Sequence, residues 1–246
     1  MGTWLVLPTL NEAENLGRLV ARIRARDRAL RILVVDDASR DGTAEMADEL
    51  SRGDEALEVI HRTGKPGYGE ALTEGFRRAL AAGAAAILTS DCDFSHDPDD
   101  IPRLLAGLEG AHVAIGSRYV EGGRIRDWSL GRRLLSAVAN AFVRALFRLP
   151  ARDCTSGFRA YRREALLGVP WERLHSTGYS FLVEVLYWAA PPPHRRVQEV
   201  PICFVDRKEG RSKMGLRQIV FGAANLLKLR LQLLGGAPLP PRDPRV

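Results

Sequence analysis

The stretch TSDCDFSHDPDD, Thr89 to Asp100, sets five aspartates within ten positions of a chain whose formal net charge is +6. Asp91 and Asp93 are the two whose spacing could do chemistry. On an extended segment, side chains two residues apart point the same way, so both carboxylates can face one point. Held that close they repel, and each gains if a hard divalent cation sits between them. An oxygen-only set suits Mg2+ or Mn2+ rather than Zn2+. Magnesium takes one or two protein carboxylates and completes its shell with waters and substrate phosphates, so the pair implies a phosphate-bearing substrate. Asp97, Asp99 and Asp100 have a plainer use: Asp97 precedes Pro98 as an N-cap, and the other two complement the start of the following helix.

Asp36 and Asp37 close the run RILVVDD. One of these carboxylates can accept hydrogen bonds from a base or ribose; the plain alternative is a loop start running into Asp41-Gly42-Thr43. Glu12, close after Pro8, offers a second acceptor. Cations come later: Arg118 in GSRY, then Arg207, Lys208, Arg211 and Lys213 in VDRKEGRSKMG, spaced by glycine and serine as in a loop that could close over phosphates.

These residues need elements to position them. Apolar runs alternate with helical patterns: TWLVLP, then Asn11 to Arg26; RILVVDD, then Thr43 to Ser51; LEVIH, then Tyr68 to Ala82; AAILTSD, then Pro98 to Leu108; then HVAIGS. Continuous apolar strands between helices predict an α/β fold, a mostly parallel sheet with helices on both faces. In such sheets ligands bind beyond the carboxyl ends of the strands. That is where Pro8–Glu12, Asp36-Asp37 and Asp91-Cys92-Asp93 fall. After about residue 125 two amphipathic helices follow, about 130–149 and 214–236, apolar but edged by arginine and lysine. Each suits either a core helix or one lying in a membrane interface. The division expected is a domain over 1–213, the helix 214–236 and a proline-rich tail, 237–246.

At 246 residues, 46% hydrophobic and 27% charged, the chain reads as globular. Its three cysteines, Cys92, Cys154 and Cys203, lie far apart, against a disulfide framework or zinc site and for a reducing compartment. The longest run without a charged residue, Ala79 to Ser90, is 12 residues, where a membrane span needs roughly 20. The basic balance points to an anionic partner, yet no basic stretch interleaved with aromatics supports nucleic acid.

The motifs, taken in order, resemble the family 2 inverting glycosyltransferases of GT-A (Rossmann-like) fold, and within them the polyprenol (dolichol) phosphate mannosyltransferases. They are PTLNE (8–12), VVDDASRDGT (34–43), GKPGYGEAL (64–72), DCDFSHDP (91–98), GSRYVEGG (116–123), DCTSGFRAY (153–161), GYSFLVE (178–184) and EVPICFVDRKEGRSK (199–213). The resemblance implies nucleotide-sugar contacts from Pro8, Leu10, Glu12, Val35, Asp37, Asp91, Cys92, Asp93 and Arg118, and a metal at Asp91, Asp93 and Ser95. It implies that Arg118, Arg207 and Lys213 hold diphosphate and acceptor phosphate, and that Asp91, Asp93 and Arg118 are catalytic. The chain departs from the family at Leu10, where tyrosine is usual, and at Cys92, where alanine is usual.

The expected reaction moves a sugar, mannose from GDP-mannose, onto a polyprenyl phosphate, with Mg2+ or Mn2+. The enzyme would be peripheral on the cytoplasmic face of a membrane, with room for a separate membrane-anchoring protein as partner. UDP-glucose or UDP-GlcNAc as donor, or a non-lipid acceptor, is the alternative within the family. A sugar-phosphate nucleotidyltransferase would carry a basic loop after the first strand, which PTLNEAEN lacks, and a receiver-type signalling module would place its acidic pair after the first strand and end near 120 residues.

Overall fold

The computed structural model describes residues 2–174, 176, 178–191, 196–206 and 216–234. Five strands alternating with four helices open the chain: β1 (Thr3–Thr9), α1 (Ala13–Arg26), β2 (Arg31–Asp36), α2 (Thr43–Arg52), β3 (Leu57–His61), α3 (Tyr68–Ala81), β4 (Ala86–Thr89), a 3₁₀ turn (Pro98–Asp100) leading into α4 (Ile101–Ala106), and β5 (Val113–Ser117). Then come β6 (Arg124–Arg126), α5 (Leu130–Phe147), β7 (Arg159–Arg162), α6 (Arg163–Leu167), a 3₁₀ turn (Trp171–Arg173), α7 (Tyr179–Ala189), β8 (Val197–Pro201), β9 (Cys203–Val205) and α8 (Leu216–Leu234).

The main sheet has the order β3-β2-β1-β4-β7-β5-β8, and every pair is parallel except the two made by β7. Alternate residues of β1 feed two cores. Trp4 and Val6 join the cluster under α3, α5 and α7, whereas Leu5 and Leu7 join the one under α1, α2 and α4. Each such buried side chain contributes about 1.5–3 kcal/mol. Gly75 lets α3 press onto β1: a Cβ there would stand 2.3 Å from Val6 Cγ1.

Helix starts depart from the expected ones where backbone chemistry intervenes. Asn11 has a φ of 57°, outside helical space, so α1 begins at Ala13. Asp97 does cap, accepting from the Asp99 amide, and Pro98 takes the first position of the 3₁₀ turn. A second proline, Pro102, is tolerated because a new helix starts at Ile101 and places it in the first turn. The helix expected at 214–236 is described over Leu216–Leu234.

The sheet opens where the site lies. β1 pairs with β2 as far as Thr9 but with β4 only as far as Val6. Pro8, lacking an N–H, therefore falls beyond the last β1–β4 pair, where no ladder bond to β4 is lost. From β1 the chain order runs to β2 and β3 on one side and to β4 on the other. This is the topological switch point at which open α/β sheets bind ligands.

Candidate active site

Two loops frame the β1–β2 side of the crevice and brace each other. The Asn11 amide donates to Ser39 Oγ at 2.9 Å, and Asn11 Oδ1 accepts from the Arg40 amide at 2.9 Å. The Glu12 amide donates to Thr43 Oγ1 at 2.8 Å and the Ala13 amide to Asp41 Oδ2 at 3.1 Å. Ala38 joins Asn11 in the left-handed region, at φ 59°. Strained backbone of this kind gathers at functional loops. Pro8 and Leu10 are half-buried here, and Val35 has no exposed surface. Asp37 is buried, its carboxylate held by the Arg62 guanidinium and by the Gly67 amide at 2.5 Å. Burial lifts its pKa above the ordinary carboxylate value despite those two partners. Asp36 accepts from the Ser39 amide at 3.2 Å and shapes the turn.

The acidic pair follows β4. Asp91 is half-buried and accepts from the Tyr68 hydroxyl at 3.1 Å. Asp93 is buried, and its Oδ1 accepts from the Ser95 amide at 3.0 Å. Phe94, at φ 57°, makes the turn that lets Ser95 come back to Asp93. Ser95 itself is buried, and its Oγ has no hydrogen-bond partner among the described residues. A buried hydroxyl left unsatisfied costs about 1–3 kcal/mol, so an orphan in the loop that carries two carboxylates fits an oxygen-liganded cation. Among the described residues no group of three or more His, Cys, Asp or Glu could enclose a metal. The site thus offers two carboxylates and a hydroxyl, the incomplete set that Mg2+ or Mn2+ completes with substrate oxygens. Cys92 is buried between them; burial first, then the charges of Glu12, Asp93 and Asp91, push its thiol well above the ordinary value, so it stays protonated.

His96 ends this loop in a buried position, stacked on Phe158 at 5.1 Å and edge-on to Phe204 at 5.5 Å. Burial lowers its pKa against the pull of Asp91 and Asp93. Its Nδ1 accepts from the Asp91 amide at 3.4 Å, which places the ring proton on Nε2.

Arg118, at the end of β5, is also buried. It makes a bidentate pair with Asp153, with Nε and Nη2 each at 2.7 Å, and its amide donates to the same carboxylate at 3.0 Å. Burial alone would raise the Asp153 pKa, but the Arg118 charge and hydrogen bonds hold it below 3.8. Trp128 and Phe204 flank the guanidinium at 5.4 and 5.3 Å. Arg132 lies 4.1 Å from the Trp128 ring and pairs with Asp206 at 2.6 Å. The aromatic run from His96 through Phe204 to Trp128 therefore joins the acidic loop to a second site holding two arginines.

The loops after β1, β2, β4 and β5 thus gather the expected Pro8, Leu10, Glu12, Asp37, Asp91, Asp93, Ser95 and Arg118 on one end of the sheet. Arg207 and Lys213 lie outside the described residues. Sequence reasoning assigned no role to Tyr68, His96, Trp128, Arg132 or Asp153. The motifs GKPGYGEAL and DCTSGFRAY were the available signal for Tyr68 and Asp153, but nothing in them names a partner.

The sheet order agrees with what the chain resembles. The family model described as Glycosyl transferase family 2 matches residues 4–168. The polyprenol monophosphomannose synthase of Mycolicibacterium smegmatis is 42% identical over 227 residues, covering 90% of this chain and 85% of the relative. The undecaprenyl-phosphate mannosyltransferase of Micrococcus luteus is 39% identical over 209 residues, covering 85% and 86%. Among solved structures, glucosyl-3-phosphoglycerate synthase from Mycobacterium tuberculosis, in complex with Mn2+, UDP and phosphoglyceric acid, superposes with a TM-score of 0.68 at 21% identity, covering 96% of this chain and 79% of that one. The fold is GT-A, and the chain belongs to glycosyltransferase family 2.

Proposed function

We propose that the chain transfers mannose from GDP-mannose to a polyprenyl monophosphate, with inversion. The observation that carries this reading is the Asp91/Asp93 pair beside the orphaned Ser95 Oγ at the β1/β4 switch point, in a chain whose relatives are named for polyprenyl-phosphate mannosyl transfer. Asp91, Asp93 and Ser95 would hold Mg2+ or Mn2+, which when bound supplies counter-charge to the departing nucleoside diphosphate. Pro8, Leu10, Glu12 and Asp37 would bound the nucleoside. Val35 and Cys92 are buried, so they would shape this subsite from beneath.

In the transfer an acceptor phosphate oxygen forms a bond to the sugar's anomeric carbon as the bond to the diphosphate breaks on the opposite face. The second pKa of a phosphate monoester is about 6, so the nucleophile is already deprotonated and no strong base is needed. The difficulty is repulsion: two unit charges at 4 Å cost about 4 kcal/mol near a protein surface. Arg118 and Arg132 beside Trp128, together with Arg207 and Lys213, would offset it. Arg118 is fixed in place by Asp153 and so is preorganised for this role.

Access to a lipid acceptor is supported by α5. Leu130, Leu134 and Val138, spaced four apart, form an exposed stripe, 82%, 68% and 56% accessible, while Val143 and Phe147 face the core. α8 lies against α5 and exposes Leu227 and Leu231. No helix among the described residues is long and apolar enough to cross a membrane. From the exposed leucines of α5 and α8 we place the enzyme peripherally, on the cytoplasmic face, with these side chains in the interface; a membrane-anchoring partner protein is compatible with that position. Incubation with radiolabelled GDP-mannose, polyprenyl phosphate and Mg2+ should give labelled lipid. Label entering lipid only from UDP-glucose or UDP-GlcNAc, or not at all, would overturn the assignment.

A further inference from the structure

The connection from β3 to α3, residues 62–67, together with the first residue of α3, touches acidic groups on both sides of the crevice. Asp37 follows β2 and Asp91 follows β4, so the end of β1 lies between them. The Arg62 amide donates to the Asp36 carbonyl at 2.8 Å, and its guanidinium reaches the Asp37 carboxylate. The Gly67 amide donates to Asp37 Oδ2 at 2.5 Å. One residue on, the Tyr68 hydroxyl donates to Asp91 Oδ1 at 3.1 Å. Consecutive residues thus hold the carboxylates that flank the crevice.

We propose that Tyr68 is a positioning residue of the donor site: its hydroxyl fixes the Asp91 carboxylate from the same turn whose Gly67 amide fixes Asp37, and so sets how the two acids are presented to the donor. The proposal rests on the reading of Asp91 as a donor and metal ligand. Two observations support it. Tyr68 heads α3, which Gly75 seats directly on β1, so the phenol hangs from a rigid frame. Gly157 leaves room for the contact: a Cβ there would stand 2.7 Å from the Tyr68 oxygen and 3.4 and 3.5 Å from the Asp91 carboxylate oxygens.

A Tyr68 that served only as core filler, packing its ring against the main cluster, would lose nothing on becoming phenylalanine. Two variants break the contact by different routes. Tyr68→Phe removes the hydroxyl and keeps the ring; Gly157→Ala keeps the hydroxyl and pushes it off Asp91. Calorimetry and Mn2+ electron paramagnetic resonance, with GDP and no acceptor, read the site without turnover. Each variant should weaken Mn2+-dependent GDP binding about tenfold, the size expected of a charge-assisted hydrogen bond. Donor KM should rise by a similar factor, while kcat falls less than about threefold and the melting temperature of Tyr68→Phe stays near wild type. If wild type binds Mn2+ and GDP and Tyr68→Phe binds them equally well, the role of Tyr68 is refuted and the functional reading stands. If wild type shows no Mn2+-dependent GDP binding, that reading falls and this one with it.

Discussion

Up to the end of β5, the site's charges sit at strand ends and are held by backbone amides and short side chains from neighbouring loops, as Asp37 is by Gly67 and Asp93 by Ser95. Beyond β5, two arginines are buried against fixed acceptors. Arg118 is locked to Asp153, and Arg159, with no exposed surface, donates to the carbonyls of Ser156, Leu182 and Cys154. The same second half leaves leucines in solvent along α5. The first arrangement presents carboxylates at a ligand crevice, whereas the second buries cations against fixed partners and leaves an apolar face exposed. Acids at strand ends and arginines buried on fixed acceptors therefore mark two different tasks.

The strongest break in that comparison is Asp93→Ala. If the first half's acids are there for a ligand, transfer should fall by at least about a thousandfold, the scale of losing a preorganised electrostatic group, with the melting temperature nearly unchanged. Activity assays paired with thermal unfolding decide it; retained transfer would remove Asp93 from the site. Next comes Asp153→Asn, which leaves Arg118 buried without its counter-charge and should cost about 3–5 kcal/mol in denaturant titration. The pH dependence carries its own sign. Asp153 titrates lower folded than unfolded, so its stabilisation is fully present above the unfolded value near 3.8 and is lost as pH falls through the lower folded value. Asp153→Asn should flatten that acid limb.

Legibility followed the same divide. The alternation of strands and helices up to β5 was readable because strand and helix periods are local and β1, β2 and β5 are continuous apolar runs. The parallel sheet and the strand-end position of Asp37, Asp91 and Asp93 follow from that pattern. β7 was not readable: four residues, Arg159–Arg162, insert antiparallel between β4 and β5 after an 18-residue helix. Nothing near them specifies neighbours chosen by long-range closure. Asp153 pairs with Arg118 across 35 positions, and Tyr68 meets Asp91 across 23. The apolar spacing of α5 was plain, yet the same period serves core and interface, so its exposed side had to come from packing.

Leu134→Asp with Val138→Asp tests the face that this packing leaves exposed. Both side chains are more than half accessible, so unfolding should shift by less than about 0.5 kcal/mol. Binding to phospholipid vesicles should nevertheless drop about tenfold or more in flotation assays, since each leucine-sized group withdrawn from lipid forfeits about 1.5–3 kcal/mol. Wild-type vesicle binding in the double variant would return α5 to the role of an ordinary surface helix.

The smallest effect should come from Asp97, the acid of the first half whose visible work is structural. Its carboxylate accepts from the Asp99 amide at 3.0 Å and pairs with Arg22 at 2.7 Å. The ion pair is well exposed, at 41% and 45%, and so adds little, leaving the cap as the main contribution. Asp97→Ala should cost about 1 kcal/mol in stability, while Mn2+-dependent donor binding stays within twofold, because Asp97 faces α1 through Arg22 and leaves the crevice to Asp91 and Asp93. Asp97→Asn retains an acceptor for the Asp99 amide and should recover most of that stability, separating the cap from the charge. A large loss of donor binding in Asp97→Ala, undiminished in Asp97→Asn, would extend the chemically active set of the first half beyond the pair at 91 and 93.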